Sequence, residues 1–556
     1  MKKTIFTFVF LLTGVVIFSQ ATHVYVKTTG SGSGSSWDDA TSLVNALSLT
    51  LNDGDTIFIA AGIYVPEDSL SGSTGTDDRD KTFELKKNIH LIGGYPADAQ
   101  DGSTPDPENN PTILSGILDG GTNVYHVVTV TASKVTDEKV LLEGLTIKGG
   151  FADGTGSVTA ENGVSYNKNQ AGALIAIDTN VELKKCILTE NGASSHGFII
   201  YAYNNTDLLM VQCSLNNNST TSASNGGIYV RSANALFEDC TFDSNSTGGV
   251  AATIYTYGAS NVRAYNNTFS HNQAKNQAGA VYIRNNSNGV FVNCTFYDNT
   301  STANKGGAIF CYDGSTIDLI SCTLTKNKSD WGGAINNYNG TMNLTNTIVS
   351  GNLKTDGSSV SDITGSFTFK NSIVADSVYD ATGTIVPNVK YDVNTLDALN
   401  DNGGYTNTCM LNDFTNSNPA IAYGMTVADL STLGASFSPI VPDDIVTNDQ
   451  IGLSRSGKEY MGAVVADSPV THVFSKKEDV MNISVFPNPT SGILHVRFND
   501  IMGCNMQLYD ITGRLVSEKV VTNSVASIDM SAYKNGLYLL KIKTKDRTGT
   551  YQVVKQ

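Results

Sequence analysis

The chain has 556 residues, with 36 Lys or Arg against 52 Asp or Glu, a net charge of −16 and 52 glycines. That length holds several domains or one long repeat array. An acidic chain with no basic run excludes nucleic acid as a partner, because phosphates need clustered Lys and Arg.

The opening residues, MKKTIFTFVFLLTGVVIFSQA, put Lys2 and Lys3 before an apolar run from Ile5 to Phe18, then Ser19 and Ala21. The run is short for a bilayer span and has no second copy. Residues 1–21 therefore read as a secretory signal cleaved near Ala21, leaving no transmembrane segment in the mature chain. TGSGSGSS follows as a linker that lacks a complete phosphate-cradling motif. In SSWDDATSLVNALSLTL, Ser36 and Asp39 stand at capping-box spacing, and Leu43, Leu47 and Leu51 share one helical face. A short helix there would cover an open first rung. The acidic loop Thr76–Asp80, TDDRD, is a candidate for Ca²⁺, with plain solvation as the competing reading. No other cofactor or metal is suggested: no CxxC occurs and the seven histidines are scattered.

From about residue 180 one unit recurs. Cys186, Cys213, Cys240, Asn267, Cys294, Cys322, Asn346 and Asn371 take one equivalent position, at spacings of 27, 27, 27, 27, 28, 24 and 25. A fixed period of this size means a solenoid, and the period-two alternation within each unit makes its elements strands. Before the column, Val181 and Leu183, Leu208 and Met210, and Ile317 and Leu319 point inward with the cysteine; after it, Leu188, Leu215, Phe242, Phe269, Phe296 and Leu324 do so. Neighbouring cysteines about 4.8 Å apart exceed the Cβ separation of about 3.8 Å usual for a disulfide, so the thiols fill a core column. Asn191, Asn218, Asn245, Asn272, Asn299, Asn327 and Asn352 form a second column, whose stacked amides can satisfy a buried corner.

Each unit's first strand also carries two outward positions. One column is Tyr201, Tyr229, Tyr255, Tyr282 and Phe310; the other is Tyr203, Arg231, Tyr257, Arg284, Tyr312 and Tyr338. Aromatic rings interleaved with guanidinia can stack on sugar faces and bind carboxylates, so these eleven residues are the candidate site for an extracellular glycan or a host or surface protein. Two other readings compete: stacked rings stabilise the outside of a sheet, or a loop such as 150–170 packs over them.

GGAIF at Gly306, GGAIN at Gly332 and AGAVY at Ala278, alternating with FDSN, FSHN and FYDN, resemble the repeats of chlamydial polymorphic outer-membrane proteins. That resemblance implies a surface-displayed β-helix of the kind used for adhesion. GDTIFIAAGIYVP, LIGGYPADA and PTILSGILDGG resemble the opening of secreted right-handed β-helix proteins. DNGGYTNTCML, NSNPAIAYG and NDQIGLSRSGKEYMGAVV are similar to the closing segment of their choice-of-anchor Q group, although Ala422 and Tyr423 replace that group's Asp-Ala. No functional residue is carried over from it.

After a polar joint, SVFPNPTSGILHVRF, MQLYDITGRLV, IDMSAYKNGLYLLKIKT and YQVVKQ alternate in the manner of a small β-sandwich. They resemble the type A C-terminal sorting domain of the type IX secretion system at Pro487, Asn488, Pro489, Gly492, Asp510, Gly513, Gly536, Tyr538 and Lys555. The resemblance implies contact with the type IX secretion machinery, export through the outer membrane, removal of this domain, and release or attachment to surface lipopolysaccharide.

The expected architecture is all-β. It comprises a signal peptide (1–21) and a right-handed parallel β-helix of about 27 residues per rung (22–470). Within that region an N-terminal cap covers about 22–140, regular rungs about 140–375 and a closing segment about 376–470. A sorting domain occupies 480–556. The expected function is that of a secreted or cell-surface adhesin or glycan- or protein-binding protein. A polysaccharide lyase or glycoside hydrolase acting on an acidic polysaccharide is the alternative, disfavoured because the outward columns carry no carboxylate and because HExxH and GxSxG are absent.

Overall fold

The computed structural model describes residues 22–71, 77–135, 138–303, 305–412, 417–457 and 460–464. In the C-terminal region it describes 483–486, 490, 492–498, 504–510, 514–521, 525–531, 533–534, 536–543 and 548–555. The signal segment, the 465–482 joint, Pro487, Asn488, Pro489 and Gly513 lie outside the described residues.

Three long sheets wind around one apolar core. Sheet 1 has twelve strands, running from His23–Val26 through Asn180–Lys184, Asp207–Val211, Asn234–Glu238, Asn261–Tyr265, Asn288–Val292, Thr316–Ile320 and Thr341–Thr345 to Thr368–Lys370. Sheet 2 has thirteen strands and sheet 3 has ten. From Asn180 to Thr345 the sheet 1 strands pair in parallel with no register break, so Val181, Leu208, Ala235, Val262, Gly289, Ile317 and Met342 form one inward row. Phe242, Phe269 and Phe296 stack through the core with ring centroids 4.6 Å apart. One repeated sequence thus becomes one repeated contact, and the strand spacing sets the pile.

The cysteine column forms as expected, with one correction. Cys186, Cys213, Cys240, Asn267, Cys294 and Cys322 are buried in line, but Asn346 and Asn371 stand one place earlier, at the corner. That corner is left-handed in every rung, with φ of 51° at Lys185, 58° at Asn266, 53° at Asn346 and 43° at Asn371. Asparagine tolerates this conformation. The core place falls instead to Thr347, whose Oγ1 accepts from the Cys322 N–H at 3.2 Å, and to Ser372. All eight cysteines are free thiols and buried.

The asparagine ladder is continuous. Asn245 gives its backbone N–H and its side-chain amide to Asn272 Oδ1 at 3.1 and 3.0 Å, and Asn272 does the same to Asn299 at 3.1 and 2.9 Å. The series runs from Asn191 to Asn352 and ends on Asp362. The GGAI motif follows from close packing at the next corner. Gly306 has φ +66°, and a Cβ on Gly307 would lie 1.9 Å from the Gly333 carbonyl oxygen. Ala278, which replaces the first glycine in AGAVY, takes the same left-handed turn at φ 57°.

The coil starts at the first described strand, so residues 22–140 contribute irregular rungs of the same sheets. The helix near the start is shorter than its periodicity suggests. It covers Leu43–Ser48 and is capped by Ser42, whose side chain accepts from Asn45 N at 3.2 Å. Ser36 Oγ does accept from Asp39 N at 3.2 Å, in a turn ahead of the helix, while the Asp39 carboxylate is held by the hydroxyls of Ser33 and Ser35.

Past the last rung the chain turns back along the outside of the coil as a strap. Its helices Val427–Ala435 and Asp443–Thr447 set Met425, Leu430, Val441 and Val446 on Tyr265, Val292 and Ile320 of sheet 1. Buried Arg455 fastens it, donating to Asn293 Oδ1 at 3.0 Å and to the carbonyls of Asn448, Tyr460, Gly462 and Ala463. The C-terminal strands form a three-stranded and a four-stranded antiparallel sheet, with a shared core that includes Leu494, Val496, Met506, Leu508, Leu540 and Ile542.

Candidate functional site

The two outward columns of sheet 3 differ in what covers them. Tyr201↔Tyr229↔Tyr255↔Tyr282↔Phe310 pair in register, and their rings sit 4.8–5.4 Å apart. They point away from the central core as expected, yet each is only 3–6% exposed. Of the readings that compete for this column, the rings form the packed one, a stacked and covered seam. Turns from the preceding corner close over them, so that a Cβ on Gly226 would lie 2.6 Å from Tyr255 Cβ. Val158 and Tyr166 of the hairpin Ser157–Asn167 join the same apolar cluster, which is the covering role considered for loop 150–170. Burial also holds the Tyr201 and Tyr255 hydroxyls above the usual tyrosine range.

The second column is half-buried and self-engaged. Arg231 lies 5.1 Å from the Tyr203 ring and 5.5 Å from Tyr257, and Arg284 lies 5.6 Å from Tyr257 and 5.3 Å from Tyr312. Tyr338, at 48% exposure, is the column's open end.

The TDDRD carboxylates are spent on protein partners. Asp77 accepts from Tyr125 Oη at 2.9 Å, Asp78 pairs with Lys81 at 2.9 Å and Asp80 with Lys168 at 2.7 Å.

A large open cavity lies on sheet 1, away from the two columns singled out in the sequence. It is a groove of about 980 Å³ lined from Glu138 and Asn180 across to Thr316 and Asp318, with Phe437, Ser438 and Pro439 of the strap as one wall. Six successive strands, five spacings of about 4.8 Å, give it a length of about 24 Å. Its floor is the middle outward row, Glu182↔Leu209↔Leu236↔Arg263↔Val290↔Asp318. Its open side is an amide ladder: Asn234 donates to Asp207 at 2.8 Å, Asn261 to Asn234 at 3.0 Å and Asn288 to Asn261 at 3.1 Å. Each bond leaves a second N–H and a carbonyl lone pair at every rung facing solvent. The signal for the groove was present in the sequence, as leucine or valine at outward positions (Leu209, Leu236, Val290) that solvent-facing strands give to polar residues.

The groove's charges are mostly internally paired. Lys139 pairs with Glu182, and Lys134 with Asp207 at 2.7 Å. Arg263 donates to Tyr265 Oη at 3.1 Å. Asp318 accepts from Asn343 at 2.8 Å, and burial raises its carboxyl above the usual range. Glu238, beside the floor, is raised by burial and then by the charges of Asp239, Asp444 and Glu182. Three strand spacings and two residues along the strand separate Glu238 from Asp318, about 16 Å at the backbone. An acid/base pair for glycoside hydrolysis needs about 5–9.5 Å.

In the C-terminal region, Asp510 holds Arg514 through Nε at 3.0 Å, Tyr538 Oη donates to the Lys534 carbonyl at 2.8 Å, and Tyr538 and Lys555 are buried. Gly492 donates to Thr490 Oγ1 at 3.2 Å, and Gly536 has φ 150°.

Two family models match parts of the chain. Residues 116–253 and 194–353 match the family described as right handed beta helix region, and residues 484–556 match the secretion system C-terminal sorting domain. No curated protein matches the chain. Among the described residues no helix is long and apolar enough to cross a membrane. The ladders, the register and both matches agree: the chain is a right-handed parallel β-helix protein with a type IX C-terminal sorting domain, handled by the type IX machinery and exported through the outer membrane to the cell surface or the medium.

Proposed function

We propose that this exported protein is an adhesin-like binding protein that holds an extended, neutral glycan in the sheet 1 groove. The observation that carries this reading is the groove itself, about 980 Å³ over six rungs. Leu209, Leu236 and Val290 offer an aliphatic floor for the C–H face of a sugar, and the Asn234–Asn261–Asn288 ladder offers a donor and an acceptor per rung for its hydroxyls. A periodic wall suits a periodic polymer. The lining carries Glu138, Glu182, Asp207 and Asp318 against Lys139 and Arg263, so its charge repels a polyanion. This weighs against the alternative of an enzyme acting on an acidic polysaccharide, and the separation of Glu238 from Asp318 weighs against a glycoside hydrolase in particular.

The test is titration of the full exported chain with neutral linear oligosaccharides by calorimetry. Saturable binding without turnover is expected, lost in Leu236→Arg, which would fill the floor with a charged side chain at an already half-exposed position. Release of product during the titration, or undiminished binding by Leu236→Arg, would refute the proposal. Binding of matrix proteins in place of any glycan would refute it as well.

A further inference from the structure

We infer that the outer edge of the tyrosine–arginine column on sheet 3 is a second binding site, which takes a linear acidic polysaccharide. The first observation is spacing. Tyr203↔Arg231↔Tyr257 and Tyr312↔Tyr338 are in register, and Arg284 fills the place between Tyr257 and Tyr312. Lys305 lies over the Tyr338 ring at 4.7 Å. Arg231 and Arg284 therefore stand two rungs apart, about 9.6 Å along the coil, and Lys305, from the corner before Ile309–Tyr312, brings a third cation to the last ring of the column.

The second observation is charge. On a chain of net charge −16, none of these three cations forms an ion pair among the described residues; their contacts are rings and tyrosine hydroxyls. Two carboxylates stand nearby. Asp313 acts on Arg284 through space, and Asp330 accepts from Thr355 N at 3.3 Å. Packing between tyrosine rings holds each half-buried guanidinium in place, so less side-chain freedom is lost when its exposed part meets an anion. Arg284 Nη1 makes one long bond, 3.4 Å, to Tyr255 Oη.

The third observation is the open end. Trp331 is 59% exposed and Tyr338 48%. Trp331 bridges to Lys305 across the rungs, so an exposed indole, an exposed phenol and an unpaired ammonium share one patch. An aromatic platform suits the apolar face of a sugar ring, and the cations suit a carboxylate or sulfate carried at intervals. Nucleic acid fits poorly, since its unbroken run of phosphates needs a denser basic surface. Because the sheet 1 groove is acidic, the two faces select different polymers.

The experiment uses the full exported chain and polygalacturonate as probe, with neutral dextran and single-stranded DNA as comparisons, by biolayer interferometry at low and high salt. Polygalacturonate binding that weakens with salt is expected, falling at least about tenfold in the double variant Arg231→Gln/Arg284→Gln. If that pair unfolds the seam, Lys305→Gln with Trp331→Ala changes only the exposed end and is expected to weaken binding several-fold while keeping the melting temperature. Failure of the wild-type chain to bind polygalacturonate at low salt would overturn the inference. So would unchanged affinity in the Lys305→Gln/Trp331→Ala chain, or DNA binding as tight as polygalacturonate.

Discussion

Asp362 closes the asparagine ladder, and it makes the coil's stability depend on pH. Its Oδ1 accepts from the backbone N–H and the side-chain amide of Asn352, at 3.0 and 2.7 Å, while its buried Oδ2 has no partner. Burial pushes the carboxyl up from 3.8 to about 6, against the pull of the two Asn352 bonds and with some help from Asp376. A carboxyl whose pKa is raised by folding holds its proton more tightly in the folded chain. Its contribution is therefore complete below about pH 4 and is lost as pH rises through about 6. A shift of about 2 units at 1.36 kcal/mol each amounts to about 3 kcal/mol between acid and mildly alkaline solution. Asp362→Asn keeps the acceptor oxygen for Asn352 and cannot ionise, so any cost of its buried NH₂ is the same at every pH. Urea unfolding of both chains at about pH 4 and 8 should show the difference between them shifting by about 3 kcal/mol in favour of the substituted chain at the higher pH. Parallel pH profiles would refute the reasoning.

Three further outcomes follow from the ladders and the seam. Asn272→Ala strands the backbone and side-chain donors of Asn245 and should cost about 3 kcal/mol or more in urea unfolding; a loss below about 1 kcal/mol would show the ladder is not closed. Tyr229→Ser opens a cavity in the packed seam and should cost about 3 kcal/mol, whereas Tyr338→Ser at the open end should stay within about 0.5 kcal/mol; equal effects would contradict the assigned burial. The eight thiols should ignore an aromatic disulfide reagent in the native chain and all react in denaturant, because every one is buried and burial lifts Cys186, Cys213 and Cys294 well above the usual range; native labelling would place a thiol outside the core.

The repeat was legible because it is written twice, in a period of about 27 and in an alternation of two, and both act locally. The two columns Cys186–Cys322 and Asn191–Asn352 could therefore be placed by counting. Counting failed where Asn346 and Asn371 resemble the column but occupy the left-handed corner beside it, since an asparagine suits either environment. Alternation also tells which side of a strand a residue faces, but not what lies over that side. Tyr201, Tyr229 and Tyr255 faced out as expected and were roofed by the turns of neighbouring rungs. The groove was hidden for the same reason, since its wall, Phe437–Pro439, lies more than a hundred residues beyond its floor and arrives by a strap with no repeat. What pointed to it was a polar-side position held by Leu209, Leu236 and Val290.

The most direct test of the groove is hydrogen–deuterium exchange on the full exported chain, with and without a saturating neutral oligosaccharide. Slowed exchange confined to the strands from Asn180 to Ile320 and to residues 437–439 is the predicted footprint. Protection centred on sheet 2 or sheet 3, with those strands unchanged, would contradict the account.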